Sequence, residues 1–378
     1  MTGVVIAGYA RSPFTPAHKG ALARTRPDEM AALVVRELVA RSFVAPADIE
    51  DLVLGCAFPE GEQGLNVARM VGLLADLPLA VGGVTVNRFC GSSMSAIHIA
   101  AGAIRMNSGE AFICAGVESM SRVPMGGFNP LPSPRLHAAR PDAYIGMGDT
   151  AENVARRWQI TRAAQEAFAL ESHSKAASAQ AAGHFAAEIV PIADGTGRVE
   201  QDECVRAHST AADLAGLKPA FAKDGTVTAG TSSPLTDGAS AVLVCAEGYA
   251  REHGLEILAR IKSVAVAGCA PDIMGIGPVG ASRKALARAG IEIADLDVVE
   301  LNEAFAAQAI ACIQDLELDP AKVNLDGGAI ALGHPLGATG ARIVGKAASL
   351  LKRTGKRYAL ATQCIGGGQG IATVLEAV

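Results

Sequence analysis

The sequence predicts an α/β protein, and three observations carry that expectation. At both ends of the chain, short apolar segments alternate with stretches of helical spacing. The short segments are apolar at consecutive positions, as strands are when helices cover both faces of a sheet. Of 378 residues, 50% are hydrophobic, only 4% are aromatic and 42 are glycine, so a large core must be built from Ala, Val, Leu and Ile with backbone brought close.

Residues 4–6 open as a strand. Pro27–Ser42 then sets Met30, Leu33, Val34 and Leu38 at helical spacing. Residues 51–54, 84–86 and 111–115 read as strands, with helices expected at 66–74 and 92–106. The final third repeats the style, with strands at 260–267, Val298–Leu301 and 323–325 and helices at 281–289, 304–316 and 339–352. Residues 358–364 and 370–376 close the chain as a strand pair, and the repetition points to two similar halves.

Residues 121–220 change character. Pro124, Pro130, Pro132 and Pro134 make an irregular segment, residues 150–182 read as one or two polar, alanine-rich helices holding the single tryptophan, Trp158, and residues 188–218 are mixed and charged. Inserted segments of this kind in α/β proteins close over a ligand at the carboxyl ends of the strands, and that placement is expected here.

The charge balance of 33 basic and 38 acidic residues, with no Lys/Arg block, excludes an electrostatic footprint for nucleic acid or an anionic membrane. No apolar run reaches the ~18 residues of a membrane span, and Gly3 and Gly8 break an opening segment that lacks a basic region. The eight cysteines (Cys56, Cys90, Cys114, Cys204, Cys245, Cys269, Cys312, Cys364) are scattered with no Cys-x-x-Cys. That pattern points to reduced thiols in a cytoplasmic setting and to no metal site, most of the thiols being small buried hydrophobes.

Four segments carry chemistry. In 84–97, a strand runs into a short turn and Cys90 stands where a helix begins, so unpaired N–H groups and the helix dipole should favour its thiolate. In 327–340, His334 precedes a proline and is flanked by glycines, which holds it on a constrained turn and makes it the best base candidate. His173 and His184, in polar helical stretches, read as surface residues. In 297–308, Asn302 falls between a strand and a helix, where asparagine is a good N-cap and can also offer its amide to water or substrate. In 361–370, Cys364 ends a strand and is followed by Gly366-Gly367-Gly368, whose N–H groups suit an oxyanion. Gly275, Gly277 and Gly280 mimic a dinucleotide fingerprint with Asp295 and Asp297 about 20 residues on, but Pro271 and Pro278 spoil the turn, so nicotinamide binding is not expected.

Together these segments resemble the thiolase family over essentially the whole chain. Asn87-Arg88-Phe89-Cys90-Gly91-Ser92-Ser93 is similar to its nucleophile motif, Asn302-Glu303-Ala304-Phe305 to its Asn-Glu-Ala-Phe motif, Gly333-His334-Pro335 to its Gly-His-Pro motif, and Cys364-Ile365-Gly366 to its Cys-x-Gly motif. Residues 147–153, 225–230 and 237–239 add to the likeness. The resemblance implies two similar five-layered α/β halves with an inserted loop domain: an N-terminal half over 1–118 and about 236–257, a loop domain over 119–235, and a C-terminal half over 258–378. It further implies Cys90 as the nucleophile that becomes an acyl thioester, His334 as its base, and Cys364 as acid and base at carbon. Asn302, through a water, would join His334 in one oxyanion hole, and the N–H groups of Cys90 and Gly366 would form a second.

Coenzyme A is the implied co-substrate, with no tightly bound cofactor, and its matching positions are Arg206, Ala229, Ser233, Phe305 and Met147, Arg206 being expected near the nucleotide phosphates. A homo-oligomer, dimer or tetramer, is implied as well. Where short-chain biosynthetic thiolases carry Tyr-His-Met, this chain has Ile145-Gly146-Met147, and Pro234 stands where glycine is usual. These departures favour a degradative thiolase of fatty acid β-oxidation over an acetoacetyl-CoA-forming one. Ketoacyl synthases are disfavoured by Cys364, where they would carry histidine, and a non-catalytic acyl-CoA-binding relative by the presence of all four motifs.

Overall fold

The computed structural model describes residues 2–193 and 197–378; of the mixed segment at 188–218, residues 194–196 lie outside the described residues. Strands β1 (Val4–Arg11), β2 (Ile49–Gly55), β3 (Gly82–Val86) and β4 (Ala111–Ser119) alternate with helices α1 (Pro27–Ser42), α2 (Val67–Leu74) and α3 (Ser92–Arg105). The chain then leaves the sheet for α4 (Met147–Arg157) and α5 (Arg162–Ala181), and returns as β5 (Thr236–Ala246). The last third runs β6 (Ala259–Gly268), α6 (Gly277–Ala289), β7 (Val298–Leu301), α7 (Ala306–Asp315), α8 (Leu336–Thr354), β8 (Tyr358–Ile365) and β9 (Gln369–Glu376).

The strands form one path, β7-β8-β9-β6-β1-β5-β4-β2-β3, with the two-residue strand Thr15–Pro16 beside β5. Pairing is parallel toward both outer edges (β7 with β8; β2 with β3 and β4) and antiparallel through the middle. The halves meet where β1 pairs with β6 at Val5–Arg260 and Ile6–Ala259. Strand β5 is buried at all 11 positions, so its sequence lacks the alternation that marks a half-solvated strand.

The expected strand at 323–325 does not form. Only Val323 bridges, to Val299, and Asn324 then adopts a left-handed φ of 48°. Its side chain takes over the ladder: Oδ1 accepts the Leu301 N–H (2.9 Å) and Nδ2 donates to the Leu301 carbonyl (2.9 Å). The residues read as one or two helices at 150–182 form two, and Trp158 caps the first, its indole N–H donating to Asp315 of α7 (2.9 Å).

Helices α1 and α2 cover one outer face and α6 the other, while α3 and α8 pack together between the strands of the two halves. Helix α8 is buried on all sides except near its final turn. Small residues permit that depth, yet α8 also takes Arg342 and Lys346 inside, each 2% exposed or less. Arg11, fully buried on β1, pairs with Glu188 (2.8 Å) and Asp202 (2.7 Å), and Lys346 joins Glu188 (2.6 Å) to Asp326 (3.2 Å). The rings of Phe14 and Phe185 lie against Arg11, with Phe185 also under Lys346. This cluster ties β1, the inserted segment and α8 into one body.

The dinucleotide-like glycines serve packing. A Cβ on Gly277 would stand 2.1 Å from the Gln369 carbonyl oxygen, so this residue lets α6 lie directly on β9. That close approach needs no phosphate to explain it.

Candidate active site

The Cys90 turn is fixed by its own polar residues. Asn87 Oδ1 accepts the Phe89 N–H (2.8 Å) while its Nδ2 donates to the Ala57 carbonyl (2.9 Å). Ser92 Oγ accepts the Arg88 N–H (2.9 Å) and donates to the Phe89 carbonyl (2.6 Å). Phe89 is thereby held at a φ of 44°, an unusual conformation for an aromatic residue, which lifts Cys90 two residues ahead of α3. Across the site, the Gln363 amide donates to the Cys90 carbonyl from the opposite half.

The expected thiolate is not the resting state. Burial pushes the Cys90 thiol up to about 12, with the N–H groups of Gly366 and Cys90 opposing that rise and the Glu118 charge adding to it. Desolvation thus outweighs the helix-start field. The Gly366 N–H nonetheless acts on the Cys90 thiol against the effect of burial, as suits an oxyanion donor. A Cβ on Gly366 would lie 3.4 Å from Met147 Sδ and 3.6 Å from the Phe89 ring, which places both side chains at the same spot.

His334 is 4% exposed and stands just ahead of α8. Its main-chain N–H donates to Thr236 Oγ1 (3.0 Å), and Nδ1 meets Thr339 Oγ1 (2.6 Å). Nε2 faces Asn302 Nδ2 (3.4 Å). Burial, then the Arg342 charge, lowers its pKa to about 3, so the ring is neutral and able to accept a proton. Gly333 makes the turn possible: its φ is 99°, and a Cβ there would stand 2.6 Å from Thr236 Cγ2. Leu336, two residues on, packs in the same apolar patch as Cys90.

Asn302 does not cap a helix. Helix α7 begins at Ala306 and is entered from Phe305 without a side-chain cap, because Phe305 is held extended in a bridge to Ser232. The Asn302 amide is fully buried, and its Oδ1 has no protein partner. A buried amide facing the base with one atom unsatisfied suits a bound water.

Cys364, near the end of β8, is fully buried among Ala151, Val227, Met274, Ala304 and Phe305, with Met147 alongside. Burial raises its thiol pKa well above the usual range, and Cys90 is near enough to raise it further. The two catalytic candidates therefore converge from opposite halves as neutral thiols.

Of the remaining sequence candidates, Ser233 donates from its N–H (3.0 Å) and Oγ (3.2 Å) to the Ala304 carbonyl, beside Phe305, whose ring meets Phe221 edge-on at 5.8 Å. Ala229 is exposed at the start of the neighbouring turn. Arg206 is exposed, and its main-chain N–H donates to His173 Nδ1 (3.1 Å). His173 is therefore not the surface residue its helix suggested; it is 6% exposed and burial lowers its pKa to about 4. Gly146 is exposed and opens onto Asp149, 2.9 Å from where a Cβ would stand, so Met147 rather than a void occupies the position facing Gly366.

Sequence reading missed two buried carboxylates that hold the site. Glu118 accepts from the N–H groups of Ala57 (2.8 Å), Phe58 (3.2 Å) and Gly337 (2.9 Å), binding the Cys90 side to the His334 loop. Glu303 accepts from Ser172 (2.7 Å), Asn324 (2.7 Å) and the Ile330 N–H (3.1 Å), binding α5 to the segment before His334. Two acidic residues among apolar neighbours at strand ends were the available signal. Among the described residues no group of three or more His, Cys, Asp or Glu could hold a metal ion.

Comparison with known proteins gives a consistent result. Residues 4–248 match the thiolase N-terminal domain and residues 255–377 the thiolase C-terminal domain. The chain is 45% identical to a 3-ketoacyl-CoA thiolase of Bacillus subtilis (strain 168) and 49% identical to one of Shewanella frigidimarina (strain NCIMB 400), with 100% of each chain covered in both cases. It superimposes on the crystal structure of a Bacillus anthracis acetyl-CoA acetyltransferase with a TM-score of 0.92 and 41% identity, over 100% of this chain and 99% of that one.

Proposed function

The chain belongs to the thiolase family, and from that premise we propose that it cleaves a 3-ketoacyl-CoA with free CoA, reversibly, to acetyl-CoA and a shortened acyl-CoA. The observation that supports this reading is that Cys90, half-buried, lies close enough to the fully buried Cys364 to raise its pKa and shares an apolar patch with Leu336, two residues from the neutral His334. Cys90 Sγ attacks the ketone carbon while its proton passes to His334 Nε2. The C2–C3 bond breaks, its electron pair leaves as the enolate of acetyl-CoA, and the α-carbon takes a proton from Cys364. Incoming CoA gives its thiol proton to the Cys364 thiolate and attacks the thioester, and Cys90 departs with the proton held by His334.

The N–H groups of Cys90 and Gly366 would stabilise the tetrahedral oxyanion, and His334 with an Asn302-bound water the enolate. CoA would reach the site along the inserted segment, against Ala229, Ser233, Phe305 and Met147, with Arg206 toward its phosphates. Among the described residues strand β3 is paired along one edge only, and Val84 on it and Leu65, Leu79, Ile99 and Met106 on flanking elements are exposed. Such an edge supports pairing with a second copy. Eight free thiols, two of them reacting groups, favour a reducing, cytoplasmic setting.

Two outcomes test the reading. In Cys364→Ala, thiolysis and condensation should fall by roughly 10²-fold or more, while acetyl exchange between CoA species through Cys90 persists, because exchange forms no carbanion. Equal loss of both in a folded variant would remove the separate role of Cys364. In a series from 3-ketobutyryl-CoA to 3-ketodecanoyl-CoA, kcat/KM should rise about two- to fourfold per methylene until the channel fills, from ~0.8 kcal/mol per buried CH₂. Met147, flexible and half-buried beside Cys364, is the side chain that yields to the longer chains. Efficiency highest at four carbons and falling thereafter would instead favour acetoacetyl-CoA formation.

A further inference from the structure

The partner of His334 is a hydroxyl, and a hydroxyl can point both ways. Thr339 Oγ1 lies 2.6 Å from His334 Nδ1 and 3.2 Å from the Pro335 carbonyl oxygen, and the threonine is fully buried. With its hydrogen toward Pro335, Oγ1 accepts from an Nδ1–H, which leaves a lone pair on Nε2. With its hydrogen toward Nδ1, it donates, and the neutral ring carries its hydrogen on Nε2, where it would meet the Asn302 Nδ2 donor 3.4 Å away. A carboxylate in the same place could only accept, which would lock one tautomer and favour the charged ring.

The proposed chemistry asks both things of Nε2. It must be a lone pair when Cys90 gives up its proton, and a hydrogen donor when the enolate of acetyl-CoA is held. We infer that Thr339 is a positioning residue that fixes the His334 ring with its hydroxyl hydrogen toward Pro335 and Oγ1 accepting Nδ1–H, so that Nε2 offers a lone pair to Cys90 and, once it has taken that proton, a hydrogen to the enolate. The main-chain anchor at Thr236 keeps the ring in place while this happens, so only hydrogens move. The inference rests on the reading of His334 as the base.

Thr339→Ser, Thr339→Ala and Thr339→Val, with His334→Asn in parallel, test it. Serine and alanine share the loss of the methyl group and differ in the hydroxyl; valine keeps the shape without it. For alanine and valine, kcat for thiolysis and the rate of Cys90 acetylation by acetyl-CoA should each fall about 10- to 100-fold, with KM for CoA changed less than about twofold, and serine should stay within about threefold of the parent. Thermal unfolding identifies the folded variants; if valine does not fold, the serine and alanine pair decides. Folded alanine or valine variants within about threefold of the parent, or serine as impaired as alanine, would overturn the role of Thr339. Should His334→Asn itself leave acetylation intact, the assignment of the base fails instead, so the two failures are told apart.

Discussion

Cys90→Ala is expected to fold normally, to bind CoA, and to lose thiolysis by roughly 10⁴-fold or more, the scale seen when a covalent nucleophile is removed. Parent protein incubated with acetyl-CoA, quenched and digested should carry the acetyl group on Cys90 alone. Acetylation of Cys364, or none in active protein, would contradict the assignment. The pH dependence of this labelling is a sharper test, because it separates a resting ion pair from a neutral one. With Cys90 pushed up to about 12 and His334 down to about 3, both groups stay neutral at every pH between those limits. The acetylation rate should therefore be flat from about pH 6 to about pH 9. A limb with its midpoint near the ordinary histidine value would mean that the imidazole is charged at rest.

Arg11→Met should destabilise the protein by about 3–5 kcal/mol, since it leaves Glu188 and Asp202 buried without the cation between them. The loss would appear as a lower unfolding temperature and a lower soluble yield. A surface substitution such as Arg36→Met, at a pair with half or more of each side chain exposed, should change stability by less than about 1 kcal/mol. Acid sensitivity should follow the same cluster. Glu188 is held below the ordinary carboxylate range, burial being outweighed by Lys346 and Arg11, and Asp326 is lowered to about 2 by Arg353 and Lys346 against its own burial. Depressed carboxylates contribute stability above their unfolded pKa and lose it as pH falls. The parent should lose stability from about pH 4 downward, and Arg11→Met, in which Glu188 no longer gains from Arg11, should lose less over that range, so that the gap between the two narrows as pH falls. Equal stability and an unchanged acid limb in Arg11→Met would show that the cluster is not structural.

Much of this was legible in the sequence because it is local. The strand-turn-helix around Cys90, the glycine-bounded turn at His334 and the buried strand leading to Cys364 are written in consecutive residues. What escaped was set by partners far along the chain. Glu118 and Glu303 look like surface charges until Gly337 and Ile330 supply the N–H groups that satisfy them. His173 looks solvated until Arg206 folds back onto it. Residues 323–325 have strand composition, but the Asn324 side chain bonds Leu301 in place of the main chain. Asn302 has the composition of a cap, yet tertiary pairing at Phe305 postpones the helix.

The burial of α8 has a consequence for synthesis. This helix lies between strands of both halves, but it is made only after β6, α6, β7 and α7. The region that matches the thiolase N-terminal domain is complete at residue 248, and it must then wait for residues 336–354 before its inner face is covered. At translation rates of about 5–20 residues per second, that interval is on the order of 10 s. During it, the apolar surface around Met94, Ile97 and Ile113 faces water or whatever binds there first. The nascent chain thus passes through a sticky stage whose length is set by codon speed, and the halves cannot be made as separate proteins without leaving that face open.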